Sequence, residues 1–470
     1  MKPHRILSSL AMLILASAFQ HSGPSALSAA PAAADPESPG ARAERIAWFR
    51  DAKYGLFIHW GLYAIPAGEW KGRRVPGIGE WIMQHAQIPD AEYSRLASQF
   101  FPEKFDAGAY AQLALDAGMK YVVITAKHHD GFALFKSAVS DYNVVDATPF
   151  KRDIVKELAD ACARRGLRFG VYYSQAQDWH EPNGAGNTWD FGPDDKKDFD
   201  KYLREKAEPQ VRELLSNYGP VCLVWFDTPR MMDTGGRAGR FTGIVRALQP
   251  ACLIDGRLGA GGDYVSTDDN AIPGAISDTP WETPATLNHT WGYRKDDNDW
   301  KRPGEIIFKL VDIVSKGGNY LLNIGPKADG EIPAPSVESL RTVGAWLKVN
   351  GEAVHGAART PFGEELGGYI EGRKDSGGGR VWGELSAWRC TARPGRLYFT
   401  VFSDWPRNGF DLPAFKNKIK TAWCLDDPDR TPIEITTGKD GRRTIKVPRP
   451  ARNAMANVLV VEYEGDGIEK

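Results

Sequence analysis

The chain is poor in three things, and each absence excludes something. It has five cysteines in 470 residues, at positions 162, 222, 252, 390 and 424. Their odd number and wide spacing exclude a disulfide framework, and no Cys/His spacing suits zinc. Cys222 and Cys252 sit in apolar runs and read as small core residues. A Cys390–Cys424 bridge stays open, since both lie in a β-rich C-terminal region. Charge of one sign is also lacking: the net charge is −1, which argues against nucleic acid or anionic lipid as the main partner. Long apolar runs are confined to the N-terminus. Lys2 and Arg5 precede an apolar stretch at 6–19, and an alanine-rich stretch ends in Ala32-Ala33-Ala34. This reads as a signal peptide over 1–34, with an uncleaved anchor as the alternative. No cysteine follows closely enough for a lipid anchor. The mature protein is therefore expected to be periplasmic or secreted, with no membrane span after signal cleavage. There is no internal repeat, and oligomeric state stays open.

What is present is apolar and aromatic. Hydrophobic residues make up 42% of the chain, enough for a large core, and there are fifteen Trp. Several stand beside polar groups, as in His59-Trp60, Glu80-Trp81, Asp178-Trp179-His180 and Trp281-Glu282. Such pairs suit sugars, whose apolar faces stack on rings while neighbouring polar groups read hydroxyls, although any single Trp is more often core. After a polar linker at 35–43, short apolar runs alternate with helical patterns. Strands are expected at 54–59, 120–125, 167–174, 220–227, 251–256 and 319–325. Helices are expected at 106–117, 153–165, 205–218, 303–315 and 336–350. Two further strands are expected within the loop-like stretch 260–300. The alternation predicts a (β/α)8-like TIM barrel over 44–355. Beyond it, short β runs between Gly, Pro and Asp clusters predict a small antiparallel β-sandwich over 358–470, whose default role is to cover barrel surface.

Three strand ends turn abruptly from apolar to polar: Phe57-Ile58-His59-Trp60-Gly61, Lys127-His128-His129-Asp130-Gly131-Phe132 and Val224-Trp225-Phe226-Asp227. Barrel enzymes carry their chemistry at such ends. Asp227 is a carboxylate at the end of a buried strand, either a nucleophile or a salt-bridged or capping group. A retaining glycosidase needs a second carboxyl group as acid. Glu282, beside Trp281, is the first choice because partial desolvation raises a carboxyl pKa; Asp268 and Asp269 are the alternatives, and a surface loop position is the bland reading. His128 and His129 point to opposite sides of an extended segment, so one can face a ligand while the other braces a loop. A metal site is the rival reading, but no third ligand stands at useful spacing. Arg257 can fork to carboxylates or sugar oxygens, or pair with Asp255.

These stretches resemble the α-L-fucosidases of glycoside hydrolase family 29. The matching segments are 48–61, 121–132, 167–179, 224–227, Trp281-Glu282 with Trp291-Gly292-Tyr293, and 317–326, in the family's order. The resemblance implies a (β/α)8-like barrel followed by a β-sandwich. It implies exo-acting, retaining hydrolysis of terminal α-L-fucose from an oligosaccharide or glycoconjugate, with no metal or other cofactor. It puts the nucleophile at Asp227 and matches the general acid to Glu282. Substrate contacts fall at His59, Trp60, Glu80, Trp81, His128, His129, Tyr173, Trp225, Arg257 and Trp291, with Glu69 a weaker candidate than Glu80. The sequence departs at Thr228-Pro229, where many relatives have glycine after the aspartate. A related exo-glycosidase such as an α-L-galactosidase, or a non-catalytic sugar-binding barrel, are the alternatives; linkage preference is not expressed in the motifs.

Overall fold

In the structure, a computed structural model, residues 38–374, 380–383, 385, 387–402 and 405–470 are described. The expected signal segment lies outside them. The expected linker does not stay irregular: Pro39–Ala52 is a helix. Proline opens it, the strong helix formers Ala41-Arg42-Ala43-Glu44-Arg45 follow, and the Ser38 hydroxyl accepts from Ala41 N at 3.2 Å. Among the described residues no helix is long and apolar enough to cross a membrane.

Eight strands pair in parallel: β1 Tyr54–Ile58, β2 Tyr121–Lys127, β3 Arg168–Tyr173, β4 Leu223–Phe226, β5 Leu253–Ile254, β6 Val265–Ser266, β7 Trp281–Thr286 and β8 Asn319–Ile324. Their order is β5-β4-β3-β2-β1-β8-β7-β6. Chain order is thus kept around the sheet and β8 lies beside β1, the arrangement of a (β/α)8 barrel. Between β5 and β6 a loop makes the link: Asp263 N donates to Ile254 O at 2.7 Å, and its carboxylate accepts from Ile254 N at 2.7 Å. Helices α1 Ala107–Asp116, α2 Ile154–Arg164, α3 Glu208–Asn217 and α4 Arg237–Leu248 follow the first four strands; α5 Pro303–Ser315 and α6 Ala334–Asn350 follow the last two. Asp106 and Asp153 cap α1 and α2 by accepting from Ala109 N and Lys156 N. The two strands missing from the sequence reading are β6, of two residues, and β7, with no helix between them.

Strand alternation sorts the side chains. Phe57, Tyr121, Val123, Tyr172, Leu223, Trp225 and Leu321 fill the barrel interior, where Ile46 and Phe49 join them. Their neighbours Leu56, Ile58, Val122, Ile124, Tyr173 and Val224 face the helices. After α6 the chain is β-rich. Strands β9 Gly368–Lys374 and β10 Arg380–Gly383 pair; β11 Trp388–Arg393, β12 Arg396–Val401, β14 Ile419–Cys424 and β17 Asn457–Tyr463 form a sheet of order β11-β12-β17-β14. Strands β13 Phe410–Asp411, β15 Ile435–Thr437 and β16 Arg443–Ile445 form a third sheet. Cys390 and Cys424 lie on the two edges of the four-stranded sheet and are free and buried. Three strand spacings of about 4.8 Å separate them, too far for the bridge left open above. The C-terminal sheets are tied to the barrel by Arg389, which pairs inside the protein with Asp312 of α5, while Lys316 Nζ lies 2.7 Å from the same carboxylate.

Candidate active site

The polar strand ends meet at the C-terminal mouth of the barrel, around a cavity of about 170 Å³. Rings of Phe57, Trp81, Trp225 and Trp291 line it, and His59, Glu80, His128, Asp227, Arg257 and Asp269 supply the polar groups. Larger hollows of about 290 and 540 Å³ lie on the outer wall, beside Tyr320 and beside Leu347. Position at the strand ends, rather than volume, singles out the smaller one.

Asp227 follows the last residue of β4 and points inward. Its Oδ2 accepts from the Tyr172 hydroxyl at 2.9 Å, and its Oδ1 accepts from Arg257 Nη1 at 3.3 Å and from Thr228 N at 2.8 Å. Its own N–H donates to Gln175 Oε1 at 2.9 Å. His129 Nε2 lies 3.4 Å from Oδ2. Arg257 does not pair with Asp255; its Nη2 reaches Asp269 Oδ1 at 2.7 Å, so one guanidinium joins two carboxylates. Burial works against the Arg257 charge, but Asp227 and Asp269 together hold its pKa above the ordinary value. Thr228 has φ 54°, in the left-handed region that favours glycine, so the departure at this position is a strained backbone next to Asp227.

The histidines stay neutral. Burial lowers His59 and His129 to about 3 and His128 well below its ordinary value. Asn323 donates its amide to Trp291 O at 2.8 Å, so its oxygen faces His59 Nδ1 at 2.7 Å. Nδ1 therefore carries the proton, and the Nε2 lone pair remains for the cavity. His129 Nδ1 is 2.6 Å from Ser174 Oγ, whose own hydrogen goes to Gln177 O at 2.8 Å. His128 stacks on Tyr172, centroids 5.3 Å apart, and its Nδ1 has no protein partner among the described residues. Glu80 accepts from Gly292 N at 2.8 Å through Oε2, while Oε1 has no protein donor among the described residues. Burial pushes its pKa to about 7.

Ligand atoms of His128, His129 and Asp227 lie within 4.8 Å of one another. The third ligand missing from the sequence spacing thus comes from another strand. The Asp227 carboxylate already accepts from Tyr172, Thr228 and cationic Arg257, an arrangement for a held carboxylate rather than for a dication.

Four expected residues fall elsewhere: His129 is buried beside Asp227 and outside the cavity lining, and Trp60, Tyr173 and Glu282 also lie apart from it. Trp60 lies one residue beyond inward His59, so it faces out: it is buried among Phe100, Phe105 and Tyr110 and donates Nε1–H to Lys327 O at 3.0 Å. Tyr173 also faces out and donates to Gln210 Oε1 on α3 at 2.8 Å; its neighbour Tyr172 is the one that meets Asp227. Glu282 is on no loop. It is the second residue of β7, fully buried low in the barrel, and outside the cavity lining. Its Oε2 accepts from Tyr121 at 2.5 Å and its Oε1 from Trp225 Nε1 at 3.1 Å and Tyr264 at 3.4 Å. Of the two alternatives, Asp269 lines the cavity and Asp268 does not. Glu69 sits in a surface hairpin, Glu69–Trp70 with Arg73–Arg74, paired with Lys295.

Comparison with known proteins agrees with this geometry. The family model for alpha-L-fucosidase matches residues 25–352. The plasma alpha-L-fucosidase of Homo sapiens is 33% identical over 392 residues, 77% of each chain. The crystal structure of alpha-L-fucosidase from Vibrio sp. strain EJY3 superposes with a TM-score of 0.80 at 34% identity, covering 91% of this chain and 74% of that one. An alpha-L-fucosidase from Lactobacillus casei, solved in complex with alpha-L-fucose product, is 44% identical, with a TM-score of 0.61 over 65% of this chain and 99% of its own. With a polar mouth on a parallel barrel, a carboxylate held at its centre and these relatives, the chain belongs to the α-L-fucosidase family of glycoside hydrolases.

Proposed function

We propose that the protein removes terminal α-L-fucose from fucosylated glycans in two displacements, with Asp227 as nucleophile and Asp269 as acid and base. The observation that carries this reading is the Asp227 carboxylate, held by Tyr172 and Arg257 on the wall of a cavity one sugar wide. Asp227 attacks C1 of fucose. The glycosidic C1–O bond breaks, and the leaving oxygen takes a proton from Asp269. Asp269, now ionised, takes a proton from water; that water attacks C1, releases Asp227 and forms fucose. The Asp269 side chain is partly exposed to solvent, from which the attacking water comes. Asp269 stands here in place of Glu282, because a group acting on the leaving oxygen must reach the cavity.

The remaining groups suit a small deoxysugar. Neutral His59 and His128 and the open oxygen of Glu80 offer acceptors and donors to ring hydroxyls, and Trp81, Trp225 and Trp291 offer apolar faces. Neutral His129, its proton on Nδ1 toward Ser174, packs beside the nucleophile without donating to it. The catalytic part corresponds to 44–355 and the β-rich part to 358–470, which covers barrel surface. Export to the periplasm or medium is supported by the N-terminal residue pattern and by the plasma enzyme among the relatives. Proton NMR of the first-formed sugar tests the mechanism. Double displacement releases the α-anomer of L-fucose before mutarotation; initial β-anomer would overturn the covalent role of Asp227.

A further inference from the structure

Glu282 is a fully buried carboxylate that the reaction above leaves unused. Its three contacts are all neutral donors, and they come from three places on the barrel wall: Tyr121 at the start of β2, Trp225 in β4 and Tyr264 just before β6. The chain makes room for this. Gly55 of β1 pairs with Tyr121, and a Cβ at Gly55 would collide with the Tyr121 ring. Glycine at that position lets the ring cross the barrel to the carboxylate.

The bond to Trp225 leads upward to the site. The Trp225 ring stacks on Tyr172, centroids 5.6 Å apart and planes at 16°, and the Arg257 guanidinium lies 4.8 Å over the same ring. Tyr172 and Arg257 are the side chains that donate to the two oxygens of Asp227. A ring free to rotate would move both donors. An indole has a single N–H, so an acceptor there fixes its plane as packing alone does not.

We propose that Glu282 is a positioning residue: by accepting the Trp225 N–H from below, it fixes the indole against which Tyr172 and Arg257 orient Asp227. This inference rests on the nucleophile reading of Asp227. It predicts an effect mainly on the attacking carboxylate, equal for good and poor leaving groups, with a smaller effect on sugar binding through the Trp225 face.

The test uses the full chain, aryl α-L-fucosides of graded leaving-group ability, and the variants E282Q, W225F, their combination, and D227A. E282Q keeps the shape and one acceptor oxygen, and replaces the other oxygen by an amide donor. It is expected to lower kcat about tenfold, with KM changed less than about threefold and the same loss across the leaving-group series. W225F keeps an aromatic ring and removes the N–H. In that background E282Q should cost less than about threefold, because the two changes break one link. Azide should restore no turnover to E282Q. Full kcat in E282Q beside an inactive D227A would overturn the positioning role and leave the nucleophile in place. Losses confined to poor leaving groups, with azide rescue, would overturn it by making Glu282 the acid. An active D227A would remove the nucleophile reading and this inference with it.

Discussion

Two inward-facing carboxylates share one barrel, one partly exposed and one fully buried, and their surroundings set them apart. Asp227, at the mouth, keeps 16% of its side chain exposed and touches the cationic Arg257. Glu282, below it, is 0% exposed and meets only hydroxyls and an indole N–H. Burial pushes Glu282 up to about 7, against the pull of its three hydrogen bonds. One carboxylate is held by a cation beside a space for substrate; the other is held by neutral groups with no space at all. Height on the wall, set by register along β4 and β7, decides which can do chemistry and which can only hold a ring.

Removing the upper carboxylate should have the largest effect. Asp227→Ala is expected to lower kcat/KM on an aryl α-L-fucoside by about a thousandfold or more while leaving the near-UV circular dichroism unchanged. Asp269→Ala comes next. It should cost about a hundredfold or more with poor leaving groups and far less with activated aryl leaving groups, with azide restoring turnover. Adjacent tyrosines sharpen the contrast between the inside and outside of the wall. Tyr172→Phe removes a donor to Asp227 and should lower kcat by about tenfold or more. Tyr173→Phe removes only the bond to Gln210; it should leave kcat unchanged and lower stability by about 1 kcal/mol in urea unfolding.

The remaining effect is in stability against pH. The Glu282 pKa is raised from 4.5 to about 7 in the folded protein. Between those values the folded state holds a proton that the unfolded state has released. Its contribution is therefore complete below pH 4.5 and is lost as pH rises through 7, on the order of 3 kcal/mol in all. Glu80, raised to about 7 by burial, acts in the same direction. Glu282→Gln should flatten part of the fall in Tm between pH 5 and 7; an unchanged slope would break the contrast drawn above.

The sequence showed the mouth of the barrel better than its wall. β1, β2 and β4 end in abrupt changes from apolar to polar, so His59, His128 and Asp227 were legible without a structure. β3 is apolar on both faces, as buried parallel strands are, so nothing local separated Tyr172 from Tyr173. Trp60 followed the same one-residue ambiguity. β6 has two residues, and β7 contains Pro284, which together hid the second half of the barrel and left Glu282 apparently on a loop. Asp269 was legible only as an alternative. Its significance comes from Arg257, twelve residues away along the chain, reaching both it and Asp227.

The central claim is that Asp227 forms a bond to C1. The most direct measurement is mass spectrometry of peptides from enzyme treated with a 2-deoxy-2-fluoro-α-L-fucosyl donor, whose second displacement is slow. The account predicts one added fluorofucosyl group on the peptide carrying Asp227 and none in Asp227→Ala. Labelling of another carboxylate, or steady turnover with no covalent species, would contradict it.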